Sequence, residues 1–232
     1  MTSPMPAPSF VPGAALRSPE GLGRAAAALL GVTVAVDLFA VYADMLEMNV
    51  GADLADGATG SAVAGRAGHA DTLYGVAGVA QALVLVATAV VYLCWLWRVR
   101  VNAEVFDRSA HRMRRGWTIG GWFCPVVNLW FPRRIVVDAW DASAPWGARV
   151  RHAPVNAWWT VWVIGLFVGR LAYTRYDNAD TPSELRGAAG LMLFSDALDA
   201  VAAILAVLVV VHLTRMQRHK ALAGPLPSPV VG

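Results

Sequence analysis

The chain has 232 residues, of which 57% are hydrophobic and 15% are charged, whereas about a quarter of the residues of a soluble protein are charged. This composition excludes an ordinary soluble domain and predicts an all-α, polytopic membrane protein. The formal net charge of +3 comes mostly from arginine. In a membrane protein such charges report orientation, so they do not indicate nucleic-acid binding.

The chain begins with a tail and two membrane spans. Residues 1–24 are rich in Pro, Ala and Gly, which predicts a disordered cytoplasmic tail. Residues 25–46 and 73–97 are long enough to cross a hydrocarbon core of about 30 Å. A polar, glycine-rich stretch lies between these spans, and a basic segment with six arginines follows the second one.

Residues 116–131 are apolar but contain Pro125 and Asn128. At the rise of an α-helix their apolar part is only about 24 Å long, and Pro125 would interrupt helical hydrogen bonding. We therefore predict a re-entrant or interfacial segment that returns to the side on which it starts. Pro132 suits a first helical position, and the apolar stripe that follows predicts a short amphipathic helix over residues 132–142, lying on the inner membrane surface.

Two more spans complete the predicted fold, over residues 155–174 and 187–213, and residues 219–232 form a second disordered tail. If the central segment returns, fifteen Lys and Arg residues lie on the inner side and three on the outer side. If it crosses, the division becomes ten and eight. Lys and Arg favour short cytoplasmic loops. We therefore predict four transmembrane helices in the plasma membrane, with both termini in the cytoplasm.

The central segment also carries a resemblance. Its pattern of Trp117, Trp122-Phe123, Pro125, Asn128-Leu129-Trp130 and Pro132, followed by Asp138 and Trp140, is similar to the central signature of a family of bacterial multi-pass membrane proteins. That family is common in actinobacteria and is catalogued as a domain of unknown function. The resemblance covers about residues 25–218 and implies an integral membrane protein, with no activity and no catalytic residues.

Polar residues inside membrane spans are candidate functional residues. All of those found here fall in the outer half of the predicted bilayer: Asp37, Gln81, Arg170, Asp196 and Asp199. Arg170 could pair with Asp196 or with Asp37. The cluster is either a buried ion pair that fixes helix register or a polar site, such as a proton relay, that opens to the outside.

The re-entrant segment supplies a second candidate set: Trp122, Pro125, Asn128, Trp130 and Pro132. Asn128 either lines a cavity or satisfies backbone groups freed by the break. Three arginines of the basic segment either contact anionic lipid head groups or only set orientation: Arg112, Arg114 and Arg115.

Small residues and cysteines have simpler interpretations. Gly165 and Gly169 form either a dimer face or, as we favour, a contact with a neighbouring helix of the same chain. Cys94 and Cys124 lack the spacing of a zinc site, and we expect buried thiols rather than a disulfide. We expect no metal and no cofactor.

No catalytic motif is present in the sequence, so we expect a non-enzymatic protein. The first hypothesis is a membrane scaffold, accessory or sensor module that acts through lipids, an unknown protein partner or a homo-oligomer. The alternative is a small oligomeric transporter or channel whose substrate uses the polar intramembrane site.

Overall fold

The computed structural model describes residues 16–146, 148 and 150–224, and throughout this part of the chain the regular structure is helical, with no strand. The all-α prediction is therefore confirmed. The six α-helices are α1 (Glu20–Ala55), α2 (Ser61–Phe106), α3 (Trp117–Phe123), α4 (Phe131–Ser143), α5 (Ala153–Asp177) and α6 (Pro182–Ala223). Four of them, α1, α2, α5 and α6, are long and apolar enough to cross a membrane.

The four long helices form two hairpins that pack side by side. α1 packs against both α2 and α6, and α6 also packs against α5. The first hairpin turns at Gly57 and Gly60, whose φ angles of 81° and 108° are readily adopted by glycine. The second turns at Thr181, whose hydroxyl accepts a hydrogen bond from the backbone N–H of Glu184 while the Glu184 carboxylate accepts one from the N–H of Thr181. This capping box fixes the start of α6.

We call the end of the bundle with these two turns the acidic end, and the opposite end, with residues 107–146, 148 and 150–152, the basic end. The backbone of Gly51 and that of Arg186 approach closely at the acidic end, where a Cβ on Gly51 would lie 3.2 Å from the Arg186 Cα. At the basic end, the start of α1, the end of α2 and the end of α6 meet through Asn102, which bonds to the backbone of Arg17 and to Gln217.

The helices are longer than the predicted spans. α1 continues to Ala55 and α2 begins at Ser61, so most of the polar stretch between the first two spans is helical. Residues 20–24 and 219–223, which the sequence assigns to disordered tails, belong to α1 and α6. The rest of those tail predictions falls mainly on residues 1–15 and 225–232, which lie outside the described residues.

The predicted amphipathic helix exists as α4, but its predicted setting is wrong. Its apolar stripe of Ile135, Val136, Ala139 and Trp140 is buried against the protein. Trp140 stacks on His212 of α6 with ring centroids 5.0 Å apart. The stripe contributes to the main hydrophobic core at the basic end, and it is not available to lie on a membrane surface.

Residues 116–131 fold back on themselves. They form α3, a turn and a single 3-10 turn, Val127–Leu129, before α4 begins. The ring of Trp117 meets the ring of Phe131 edge-on, with centroids 5.0 Å apart. The segment thus ends beside its own start, as the predicted return requires; its position in a bilayer stays a prediction.

Candidate functional site

Three acidic side chains lie along one face of α1. Asp37, Asp44 and Glu47 are separated by seven and three residues, a spacing that places them on the same side of a helix. Each is less than 5% exposed, because the bundle packs α1 against α2 and α6. The sequence prediction includes only Asp37, although the seven-residue spacing to Asp44 is a signal that identifies the second acid.

Gln81 of α2 joins α1 to α6. Its side-chain amide donates one hydrogen bond to Oδ1 of Asp37 at 3.3 Å and another to Oδ1 of Asp196 at 3.2 Å. Three of the five predicted polar residues are therefore in direct contact. An amide nitrogen has two hydrogens, so this arrangement uses both of them.

Two pairs of carboxyl groups follow towards the acidic end. The Asp44 carboxyl lies within hydrogen-bonding reach of that of Asp196, and the Glu47 carboxyl within reach of that of Asp71. Oδ2 of Asp37, Oδ2 of Asp44 and Oε1 of Glu47 are buried and have no hydrogen-bond partner among the described residues. Two carboxyl groups at this separation need a proton or a cation between them to avoid repulsion.

The expected cation is not there. Arg170 is exposed and makes no ion pair within the described part of the chain, so the predicted pairing with Asp196 or Asp37 is wrong. α5 meets α6 through Gly165 and Gly169, and one residue of helix rotates the next side chain by about 100°. Arg170 is therefore turned away from that contact.

Gly165 and Gly169 contact α6 of the same chain, as predicted. A Cβ on Gly165 would lie 2.8 Å from Oδ1 of Asp199, and one on Gly169 would lie 2.9 Å from Oγ of Ser195. The glycines thus allow α5 and α6 to approach closely. Asp199 lies at this contact, one helical turn from Asp196.

Water can approach the carboxyl groups from the acidic end. A half-open cleft of about 500 Å³ separates α1 from α2 there, and its lining includes Asn49, Asp53 and His69. Asp71 itself is exposed, whereas Glu47 is buried. Water therefore has access to the Glu47–Asp71 pair from the Asp71 side.

The polar groups end before the basic end is reached. One turn of α1 beyond Asp37, the hydroxyl of Thr33 is 3.3 Å from that of Thr88. A continuous apolar cluster follows between α1, α2 and α6, with Leu30, Trp95 and Val210 among its buried members. These polar side chains form a column that the apolar cluster closes towards the basic end. We call it the carboxyl column, and its members are Thr33, Asp37, Asp44, Glu47, Asp71, Gln81, Thr88 and Asp196.

The predicted re-entrant residues surround a cluster of aromatic rings. Trp122 projects from α3 and is in ring contact with aromatic side chains of α2 and α5, at centroid distances from 5.6 to 6.5 Å: Tyr92, Trp158, Trp159 and Trp162. Pro125 lies in the turn after α3, Trp130 is half exposed before α4, and Pro132 is in the first turn of α4.

Asn128 does not satisfy a backbone group freed by the break, and the alternative, that it lines a cavity, stays a prediction. Its Oδ1 is buried without a hydrogen-bond partner in the described part of the chain. The backbone carbonyl of Leu129 accepts a hydrogen bond from Nε1 of Trp159 at 3.0 Å instead. An indole from α5, rather than an amide within the segment, satisfies a backbone group at this break.

The three predicted lipid-binding arginines differ from one another. Arg115 forms an ion pair with Glu104, which also pairs with the buried Arg100 at 2.7 Å. Arg112 and Arg114 are exposed, and no acidic side chain of the described residues lies within 4 Å of theirs. Burial lowers the pKa of the nearby His111 below its usual range, and the charge of Arg100 acts in the same direction.

Sequence reasoning missed a buried polar network at the basic end. Gln217 donates to the Val99 carbonyl at 2.8 Å and to Oγ of Ser143 at 3.1 Å. Lys220 Nζ donates to the carbonyls of Ala142 and Ala144, both at 2.8 Å. The last carbonyls of a helix have no partner within it and are often bonded by a basic side chain. Lys220 does this for the last turn of α4, and the two hydrogen bonds link the end of α6 to the end of α4.

Both cysteines are free, and the prediction of buried thiols is wrong. Cys94 and Cys124 are exposed at the protein surface. Within the described residues no group of three or more His, Cys, Asp or Glu side chains has the geometry to hold a metal ion.

A family model described as Domain of unknown function (DUF4328) matches residues 58–215, well over half of the chain. The match contains Asp71, Gln81, Asp196 and Asp199 but begins after α1, and therefore after Asp37, Asp44 and Glu47. No curated protein and no solved structure matches the chain.

Proposed function

The chain belongs to this family of unknown function, and we therefore propose a function from the site itself: a non-enzymatic membrane sensor module whose carboxyl column binds protons that enter from the acidic end. The observation that carries the proposal is the pairing of carboxyl with carboxyl, Asp44 with Asp196 and Glu47 with Asp71, with no basic side chain of the described residues within 4 Å.

Proton binding follows from the chemistry of these pairs. Two ionised carboxylates repel each other, and the repulsion is stronger in a protein interior than in water. A single proton between the two carboxyl groups of a pair replaces this repulsion by a hydrogen bond. Gain or loss of that proton changes the attraction between α1 and α6 at the Asp44–Asp196 pair.

The carboxyl column is closed towards the basic end, and this favours proton sensing over proton transport. Beyond Thr33 and Thr88, the contact between α1, α2 and α6 is filled by apolar side chains such as Leu30 and Val210. Tyr92 is a buried member of this cluster, but its hydroxyl has no hydrogen-bond partner among the described residues, so no hydrogen bond continues the column beyond Thr88. This supports the sensor hypothesis over the alternative, a small transporter or channel.

The positive-inside rule supports an acidic end that faces outside and a basic end that faces the cytoplasm. α6 is one continuous helix of 42 residues, which carries Asp196 near the acidic end and Gln217 and Lys220 at the basic end. A change in packing at Asp196 can therefore reach the network around α4 through a single rigid element. Protonation at the acidic end, outside the cell, is then the signal, and a change in this network at the basic end, in the cytoplasm, is the response.

The first test is infrared spectroscopy of the purified full-length protein in lipid nanodiscs. We expect a C=O band of protonated carboxylic acid at neutral pH that disappears at alkaline pH. The substitution Asp44→Asn should remove part of that band, because it breaks a carboxyl pair. The matched control is Asp53→Asn, since Asp53 lies at the same end but forms an exposed ion pair with Arg66 at 2.7 Å. A wild-type protein without the band at neutral pH would refute proton binding.

The second test separates sensing from transport. We expect proteoliposomes loaded with a pH-sensitive dye to show the same proton leak with the wild-type protein as with Asp44→Asn. A sustained proton flux that requires Asp44 would replace the sensor by the transporter, even if the infrared result stands.

A further inference from the structure

Large apolar side chains are exposed at the tip of the fold-back segment at the basic end. We call residues 116–131 the aromatic hairpin. At the tip, Phe123 is 73% exposed and Val126 65%; Trp130, next to Phe131 at the base, is 48% exposed. The opposite side of the hairpin is packed, since Thr118 and Gly121 are buried and a Cβ on Gly121 would lie 3.2 Å from Cβ of Phe131. The aromatic hairpin therefore has a packed base and an exposed, apolar tip.

Arginines without acidic partners surround the base of the aromatic hairpin. Arg112, Arg114 and Arg134 are exposed, and among the described residues no carboxylate lies within 4 Å of them. Arg114 is part of the turn that starts the hairpin, because its carbonyl accepts the N–H of Trp117 at 3.1 Å.

The segment that carries Arg112 is bonded to α4, the helix that carries Arg134, through Asp138. The backbone N–H of Arg112 donates to Oδ2 of Asp138 at 3.2 Å, and Arg134 is one helical turn before Asp138 in α4. Arg115, by contrast, is held by Glu104. The basic set at the hairpin is thus Arg112, Arg114 and Arg134.

We propose that the aromatic hairpin inserts its tip into the adjacent membrane leaflet and that Arg112, Arg114 and Arg134 bind the head groups of anionic phospholipids there. An apolar tip above a ring of unpaired cations matches the two layers of a lipid leaflet, acyl chains beneath charged head groups. Four helices of the same chain are long and apolar enough to cross a bilayer, so the hairpin is next to lipid whenever these helices span the membrane. This inference uses residues separate from the carboxyl column and stands or falls independently of the sensor function.

The first experiment measures head-group selectivity. The full-length protein, reconstituted with spin-labelled phosphatidylglycerol or spin-labelled phosphatidylcholine, should immobilise the anionic lipid preferentially. The variant Arg112→Gln/Arg114→Gln/Arg134→Gln should lower that preference, by roughly fivefold for each arginine that contacts an anionic leaflet.

The matched control removes the same charge elsewhere at the basic end. Arg24, Arg108 and Arg215 are also exposed. Their joint replacement by glutamine should leave the selectivity within about twofold of the wild type, because physiological salt screens charges that do not contact the lipid. An equal loss in both triple variants would overturn the head-group site.

The second experiment measures the depth of the tip. Cys124 is exposed beside Phe123, so a spin label there, in a Cys94→Ala background, reports the environment of the tip. We expect faster relaxation by lipid-soluble oxygen than by a water-soluble nickel chelate, and the opposite order for a label at Ser109 in a background that lacks both cysteines. A label at Cys124 that responds mainly to the nickel chelate would overturn insertion, whatever the selectivity result.

Discussion

Gln217 fastens α6 to two other helices at the basic end, and its replacement by leucine tests what this network contributes to stability. The side chain is 1% exposed. It makes three hydrogen bonds, to the Val99 carbonyl, to Oγ of Ser143 and to Nδ2 of Asn102, at 2.8, 3.1 and 3.1 Å. A typical hydrogen bond contributes about 1 kcal/mol net to stability.

Two of the former partners keep other bonds in the variant. Asn102 Nδ2 still donates to the Arg17 carbonyl at 2.8 Å, and Ser143 Oγ still donates to the Ala139 carbonyl at 2.6 Å. No full penalty for an unpaired group is therefore added, and we expect Gln217→Leu to lower the free energy of unfolding by ~2–3 kcal/mol. For a chain of this size the melting temperature should fall by roughly 5–10 °C.

The assay is thermal unfolding in detergent, followed by tryptophan fluorescence. Arg218→Leu is the control, because the neighbouring Arg218 side chain is 60% exposed and its ion pair with Glu20 is long, at 3.3 Å. An exposed pair of this kind contributes less than about 1 kcal/mol. Equal melting temperatures for the two variants would refute the stabilising role of the network.

Further predictions concern topology, packing and pH. A membrane-impermeant maleimide in intact cells should label a cysteine at Ser183 but not one at Ser109 in a cysteine-free background; the reverse pattern would invert the proposed orientation. Gly51→Val should destabilise the bundle, since a Cβ there meets α6 backbone at 3.2 Å, whereas Gly31→Val, with nothing within 4 Å, should not; equal melting would contradict this packing. The pKa of His111 is lower in the folded state than its ordinary value of 6.5, because burial disfavours the charged ring. The stability that the neutral ring contributes is therefore intact above pH 6.5 and is lost as the pH falls below it. Between neutral and acidic pH, the free energy of chemical unfolding should fall less for His111→Gln than for the wild type. Parallel pH profiles of the two proteins would exclude a role of His111.

Apolar runs predict the long helices well but not where they end. Hydropathy predicts where a helix leaves the membrane. The helix itself continues for as long as its backbone N–H and C=O groups are hydrogen-bonded within it. α1 therefore passes through Glu47 to Ala55, and α6 reaches Ala223. The predicted loop boundaries fail for this reason, while the number of long apolar helices is correct.

The polar site was only partly predictable, because spacing along one helix does not give its rotation against another. Arg170 is adjacent to Gly169, yet only the glycine faces α6. The network at the basic end had a usable signal: Leu213, Gln217 and Lys220 are separated by four and three residues and continue the buried face of α6. Polar residues after a span are easily taken as solvated, and that assumption concealed them.

The depth of Asp37 links proton binding to the membrane voltage. Asp37 lies ten residues below Glu47 in α1, which is about 15 Å of helix rise, or half of a hydrocarbon core of about 30 Å. With Glu47 at the outer end of the predicted span over residues 25–46, a proton that travels from the outside to Asp37 crosses about half of the transmembrane potential difference, worth about 1.2 kcal/mol per 100 mV. In the proposed orientation a cell interior that is electrically negative draws the proton in, so the carboxyl column would respond to the proton-motive force, its electrical part as well as its chemical part.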